Sequence, residues 1–267
     1  MILTHQTLNI VQITDPHLHA SQDGTLLGMN TQKGLDHILE RIQAEQNHID
    51  LVLATGDIAQ DGSVEAYRRF IQLMQPLNAP LRWTAGNHDK VDNMKTALEG
   101  HESVGRPYYE FENWVVILLD STVPGKVYGR LADDQLALLD QLLTQHTDKH
   151  ALVTFHHHPC PMGSVWMDKI GIDNPDDLQA VLGRHNNVRC LLWGHVHQAS
   201  DRMINNIRHL STPSTCVQFT PKSDDFDVDT AGPGYRWLQL QPDGQIDTGL
   251  TRVEDVDFEI DFSIKGY

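Results

Sequence analysis

The chain has no apolar run long enough to cross a bilayer, which excludes a helical membrane protein. Its cysteines, Cys160, Cys190 and Cys216, are an odd number without CxxC spacing. That argues against a disulfide framework or a zinc-thiolate site and suits inert, reduced thiols. Positive charge is scarce: 20 Lys and Arg stand against 36 Asp and Glu, a formal charge of −16. Nucleic acid is therefore excluded as a partner, since that affinity rests on neutralising phosphates. The stretch Met1 to Asn9 contains neither Lys nor Arg and leads into a strand pattern, so no signal or transit peptide is visible and a cytoplasmic location is expected. Internal repeats and disordered linkers are absent too. The 267 residues, 40% apolar and 21% charged, suit one globular catalytic domain, 1–253, followed by a surface arm, 254–267.

Histidine is plentiful, at sixteen residues. His37, His48, His146 and His185 lie in polar or helical surroundings and are expected at the solvated surface. Others close strands. Leu8 to Thr14 reads as a strand delivering Asp15-Pro16-His17, with Pro16 as its stop. Leu51 to Thr55 is a buried strand ending in Gly56-Asp57, and Ala79 to Ala85 ends in Gly86-Asn87-His88-Asp89. Ala151 to Phe155 feeds His156-His157-His158-Pro159, and Val188 to Trp193 feeds Gly194-His195-Val196-His197. Helices are predicted over Gln32 to Gln46, Val64 to Met74, Leu131 to Leu143 and Asp176 to Leu182, the last opened by Asn174 as cap and Pro175 as first residue.

This βαβ rhythm predicts a parallel α/β core with right-handed crossovers. Tyr108 to Glu112 and Trp114 to Asp120 suggest a hairpin. Short strands over Ile207 to Leu210, Thr215 to Phe219, Arg236 to Leu240 and Gln245 to Arg252 look antiparallel. A second sheet packed on the first would give a sandwich with helices outside. The Cys160 to Asp173 loop is placed to act as a lid.

In open α/β sheets ligands bind at the carboxyl ends of strands, where all these motifs fall. Each motif alone is weak, but together they read as a two-metal phosphoesterase centre. Oxygen and imidazole donors without thiolate suit Mn(II), Fe(II), Zn(II) or similar ions. Asp15, His17, Asp57 and His197 are assigned to one cation. Asp57 as the bridge, Asn87, His195 and one of His156 to His158 are assigned to the other. Two divalent charges against two aspartates favour an anionic substrate, and coordinated water, its pKa brought down to roughly 7, would supply a hydroxide nucleophile. His88, beside Asn87 but spare in the ligand count, can contact the phosphate or protonate the leaving oxygen, with Asp89 available to hold its ring.

The set Asp15-x-His17, Gly56-Asp57, Gly86-Asn87-His88-Asp89, His157-His158-Pro159 and Gly194-His195-x-His197 resembles the calcineurin-like metallophosphoesterase superfamily. The resemblance implies a four-layer α/β/β/α sandwich of two packed mixed sheets flanked by helices. It also selects His157, two places before the proline, as the ligand. Serine/threonine protein phosphatases carry Gly-Asn-His-Glu where this chain has Gly-Asn-His-Asp, and purple acid phosphatases carry Tyr where it has Gln60. Both branches are thereby disfavoured, which leaves a pair of divalent ions, Fe(II) and/or Mn(II). Gly163-Ser-Val-Trp166 and Ser211-Thr-Pro-Ser-Thr-Cys-Val-Gln-Phe219 are similar to bacterial class III cyclic-nucleotide phosphodiesterases, which open 3′,5′-cyclic AMP to 5′-AMP. That likeness implies a small cyclic nucleotide as partner, bordered at its phosphate by His17, Asp57, Asn87, His88 and His197. The Cys160 to Asp173 loop and the Ser211 to Phe219 turn are the expected readers of the base.

Overall fold

The computed structural model describes residues 6–266; the segment read as lacking a leader peptide lies partly outside them, as does Tyr267. The chain begins with β1 (Leu8–Ile13), a small hairpin of β2 (Thr25–Leu26) and β3 (Met29–Asn30), and α1 (Thr31–Glu45). Then come β4 (Leu51–Thr55), α2 (Val64–Met74), β5 (Leu81–Thr84), α3 (Val91–Ala97), β6 (Tyr108–Glu110) and β7 (Trp114–Leu118). After α4 (Asp133–Gln145), β8 (His150–Thr154), α5 (Pro175–Leu182) and β9 (Val188–Trp193), the chain continues in strands. They are β10 (Ser200–Ile204), β11 (Ile207–Ser211), β12 (Gln218–Phe219), β13 (Val228–Asp229), β14 (Gly234–Leu240) and β15 (Ile246–Arg252).

Two mixed sheets face each other, one ordered β15-β14-β1-β4-β5 and the other β10-β11-β9-β8-β7-β6. Alternation along each strand explains the layers, because successive side chains leave opposite faces. In β1, Val11 and Ile13 pack outward with Leu35, Ile38 and Ile42 of α1, while Ile10 joins Leu51, Leu53, Val116 and Leu192 between the sheets. Leu139, Leu142 and Leu143 of α4 and Leu178 and Leu182 of α5 cover the other sheet. Helices thus lie on both outer faces of a sheet pair, and no described helix is long and apolar enough to cross a membrane.

The C-terminal strands depart from expectation. They do not form one sheet together: β14 and β15 extend the first sheet beside β1, β11 runs parallel to β9 in the second, and only β12 and β13 pair separately. The Thr215 to Phe219 stretch is a strand only at Gln218–Phe219. Its earlier residues curl under the first strand end, with Thr215 N donating to Thr14 O at 3.1 Å. Asn174 does not cap α5 with its side chain; its Oδ1 accepts from Leu131 N at 3.0 Å instead. His146 is buried, its ring 5.9 Å from Tyr108, and His185 pairs with Asp140 at 2.7 Å. Residues 254–266 lie against the body, with Phe258 packed on His37 and Asp261 N donating to Leu27 O.

Candidate metal centre

The parallel strands β1, β4 and β5 of one sheet and β8 and β9 of the other end at the same edge of the sandwich, and every motif sits just past such an end. Backbone bonds lock the loops together: Asp15 N to Gly56 O, His17 N to Asp57 O and Leu18 N to Ile58 O, all 2.9–3.1 Å. Side-chain carboxylates tie the strand ends, Asp15 across the two sheets and Asp57 within the first. Asp15 accepts from His195 N through both oxygens, and Asp57 Oδ1 accepts from His88 N at 2.9 Å. Asp89 bonds the amides of Gly86, Ile58 and Ala59, fastening the loop after β5 to the loop after β4.

Backbone strain gathers at this edge. Asp15, His17, Asp57, His195 and His197 have φ between 45° and 67°, in the left-handed region. That region costs a side-chain-bearing residue on the order of 1–2 kcal/mol. Strain of this kind persists where surrounding structure over-determines it, and clusters at functional sites. All five are residues assigned to cations by sequence.

Ring orientation shows which nitrogens can bind a cation. His17 Nδ1 lies 2.6 Å from Gln60 Oε1, His197 Nδ1 2.8 Å from Val217 O and His156 Nδ1 2.8 Å from Thr55 O. Each partner is a carbonyl oxygen, so each Nδ1 carries the proton and each Nε2 offers its lone pair to the interior. Those Nε2 atoms converge. His17 and His197 are 3.3 Å apart there; His197 Nε2 is 3.3 Å from Asp15 Oδ1, and His17 Nε2 is 3.7 Å from Asp57 Oδ2. His156 Nε2 stands 3.3 Å from both Asp57 Oδ2 and Asn87 Oδ1. His195 Nε2 is buried without a hydrogen-bond partner, and no well-aligned bond reaches Asp57 Oδ2.

Charge completes the fit. Burial tends to raise the pKa of Asp15 and Asp57, but neighbouring histidines, His197 for Asp15 and His156 for Asp57, hold both below the usual carboxylate range. Burial drives His17 down to about 3 and His195 well below the imidazole range, leaving both neutral. His156 is the exception. Burial lowers it, but Asp57 and Asp15 outweigh that and raise it to about 9. Ionised carboxylates and neutral imidazoles are the states that metal ligands need. The donor set therefore fits cations bound by oxygen and imidazole. Cys216 lies near His17 and His197, but its thiol is pushed up to about 12 by burial and points to Asp15 O.

Asp15, His17, Asp57, Asn87, His156, His195 and His197 thus come together. His157 sits differently. Its Nε2 lies 3.1 Å from Val127 O and its Nδ1 2.8 Å from Ser121 Oγ, and it also groups with His156 and His195 as donors that could hold a cation. Its ring lies 4.9 Å from His156 and 4.7 Å from His195. His88 stands edge-on to His17 at 5.0 Å and, like Asn87, is half-buried at the mouth. Phe219 stacks on His197 at 4.2 Å and meets Trp166 of the Cys160 to Asp173 loop at 5.4 Å. Sequence reasoning missed the orienting role of Gln60, noticed only as a departure from another branch, and that of Ser121.

Residues 8–199 match the family described as Calcineurin-like phosphoesterase. A Pseudomonas aeruginosa protein described as 3′,5′-cyclic adenosine monophosphate phosphodiesterase CpdA is 50% identical over 99% of this chain and 97% of its own. A protein of the same description from Escherichia coli K12 is 41% identical over 97% and 95%. Among solved structures, a dimetal phosphatase from Danio rerio superposes with a TM-score of 0.58 at 16% identity, covering 90% of this chain and 98% of its own. The Plasmodium inner-membrane-complex anchor GAP50 superposes at 0.64 and 13% identity, over 95% and 88%. By sequence and fold, the chain belongs to the calcineurin-like phosphoesterases.

Proposed function

We propose that this chain hydrolyses 3′,5′-cyclic AMP to 5′-AMP with two divalent cations, Fe(II) and/or Mn(II). The observation that carries the reaction class is the convergence of oxygen and imidazole donors from both sheets on one buried point. The substrate rests on the CpdA relatives, half identical across nearly the whole chain in the Pseudomonas case. Asp15, His17, Asp57 and His197 would hold one cation, and Asp57, Asn87, His156 and His195 the other, with His156 taking the place that family likeness gave to His157. Such ions supply charge for the phosphoryl oxygens and lower the pKa of water.

The chain's own groups do the rest. Thr55 O, Gln60 and Val217 O fix the tautomers of His156, His17 and His197. Asn87 and His88, at the open mouth, border the phosphate. Water adds to phosphorus, the bond to the 3′ oxygen breaks, and His88 delivers the proton that this oxygen needs. Trp166 and Phe226, 5.3 Å apart and half-buried beside Phe219, offer an aromatic surface to the base.

The test is to load purified protein separately with Mn(II) and Fe(II) and compare kcat/KM for 3′,5′-cyclic AMP, 2′,3′-cyclic AMP and bis(p-nitrophenyl) phosphate. A clear preference for the first is expected. Activity on the artificial diester with little on 3′,5′-cyclic AMP would keep the metal chemistry and discard the substrate.

A further inference from the structure

Arg236 of β14 is 3% exposed and lies between the two sheets. Its guanidinium donates to hydroxyl and carbonyl oxygens. Nη2 donates to Ser211 O at 2.8 Å and Ser200 O at 3.3 Å, Nη1 to Thr248 Oγ1 and Nε to Thr212 Oγ1, both at 3.1 Å. Burial brings its pKa down to about 10, so it stays charged at neutral pH. A buried cation costs free energy unless its environment is built for it.

The Nε branch leads to the metal centre. Thr212 Oγ1 accepts from Arg236 and donates to Gln12 Oε1. Gln12, fully buried in β1, then donates through Nε2 to Thr55 Oγ1 at 2.8 Å and to Trp193 O at 3.2 Å. Every bond in the relay points the same way, from guanidinium to hydroxyl to amide to the strand ends, so each polarises the next. Its termini are telling. Gln12 stands three residues before Asp15, Thr55 two before Asp57 and Trp193 two before His195. Thr55 also receives His156 Nδ1 on its carbonyl. One amide therefore grips β1 and β4 of the first sheet and β9 of the second directly beneath their ligands.

We propose that Arg236, Thr212 and Gln12 are positioning residues that set the spacing between donors from the two sheets, and hence the spacing of the two cations. The proposal rests on the dinuclear reading above. The relay fixes register across the sandwich where apolar packing alone permits small slides of one sheet over the other.

The test uses Thr212→Val, which keeps shape and removes the hydroxyl, Thr212→Ser, which loses the methyl and keeps it, and Gln12→Leu as a second break. Each full-length variant is titrated with Mn(II) after chelation, and the electron paramagnetic resonance spectrum at two equivalents is recorded, because exchange coupling reports the separation of paired ions. Expected in Thr212→Val and Gln12→Leu are an altered coupling and at least a tenfold weaker second Mn(II) affinity, with kcat reduced and KM little changed. Thr212→Ser restores the wild-type spectrum. Lower melting temperatures with wild-type coupling and affinities would make the relay merely structural and overturn the proposal, as would Thr212→Val and Thr212→Ser behaving alike. If Thr212→Val fails to fold, Gln12→Leu against Thr212→Ser decides by the same spectra. A wild type that binds no coupled pair overturns the dinuclear reading itself, and this proposal with it.

Discussion

Adjacent histidines separate two roles at the residue scale. His156 and His157 follow one another in the bend after β8, their rings nearly perpendicular at 87°, so the two imidazoles are aimed differently. The structure turns Nε2 of His156 inward and ties both nitrogens of His157 to Ser121 and Val127. His156→Ala is expected to bind one Mn(II) fewer by metal analysis and to lose turnover. His157→Ala is expected to keep two ions and lose activity only in part. The reverse pattern would return the ligand role to His157. His88 supplies no donor to the proposed pair, so His88→Ala should retain both ions while slowing turnover by roughly 10²–10⁴, the usual range for a positioned general acid. Parallel loss of metal and rate would make it a support of the site. For the other assigned donors, residue type and strand end already place the candidates at this edge in the sequence. The sequence leaves the choice within His156-His157-His158 open, because the partners that orient these rings, Thr55 and Ser121, lie far away in the chain.

Elements were legible in proportion to their periodicity. The strands β1, β4 and β9 are nearly continuous apolar runs, and α2 and α1 carry full buried stripes, so their reading needed no tertiary knowledge. Helix α3 was missed because its seven residues bury only Met94 and Ala97, too little for a 3.6-residue pattern. Strand β10 was missed because Ser200–Ile204 is a polar edge, exposed or half-buried throughout. The assignment of β14 and β15 to the first sheet depends on β1 having an edge free to pair, which no local pattern records. The Cys160 to Asp173 loop is pinned by Asp168, which accepts from Met162 N and Gly163 N, and it presents Trp166 to Phe219 and Phe226. Base stacking on an aromatic side chain is worth about 1–3 kcal/mol. Trp166→Ala is therefore expected to raise KM for 3′,5′-cyclic AMP by roughly 5- to 150-fold and leave KM for bis(p-nitrophenyl) phosphate nearly unchanged. An equal rise for both would place Trp166 in loop packing and not in base reading.

For the whole molecule, a formal charge of −16 and a buried cluster of carboxylates predict different responses to divalent cations. Surface charge is relieved by any divalent ion, weakly and with strong dependence on salt. The cluster instead selects by donor type, since calcium prefers all-oxygen cages whereas imidazole suits transition metals. Binding to the folded state alone stabilises it by about 2.7 kcal/mol at a ligand concentration one hundred times Kd. With about 2–4 °C per kcal/mol for a large domain, Mn(II) should raise Tm of the chelated protein by on the order of 5–10 °C. Calcium at equal ionic strength should leave Tm close to that of the chelated protein. Asp57→Asn weakens the shared ligand and should remove most of the manganese effect while preserving the surface charge pattern almost intact. Scanning calorimetry on both proteins, chelated and then loaded with each ion, separates the two origins. Equal rises with calcium and manganese, or a full manganese rise in Asp57→Asn, would assign the stabilisation to diffuse charge and leave the strain at Asp15, His17, Asp57, His195 and His197 without the metal that is proposed to offset it.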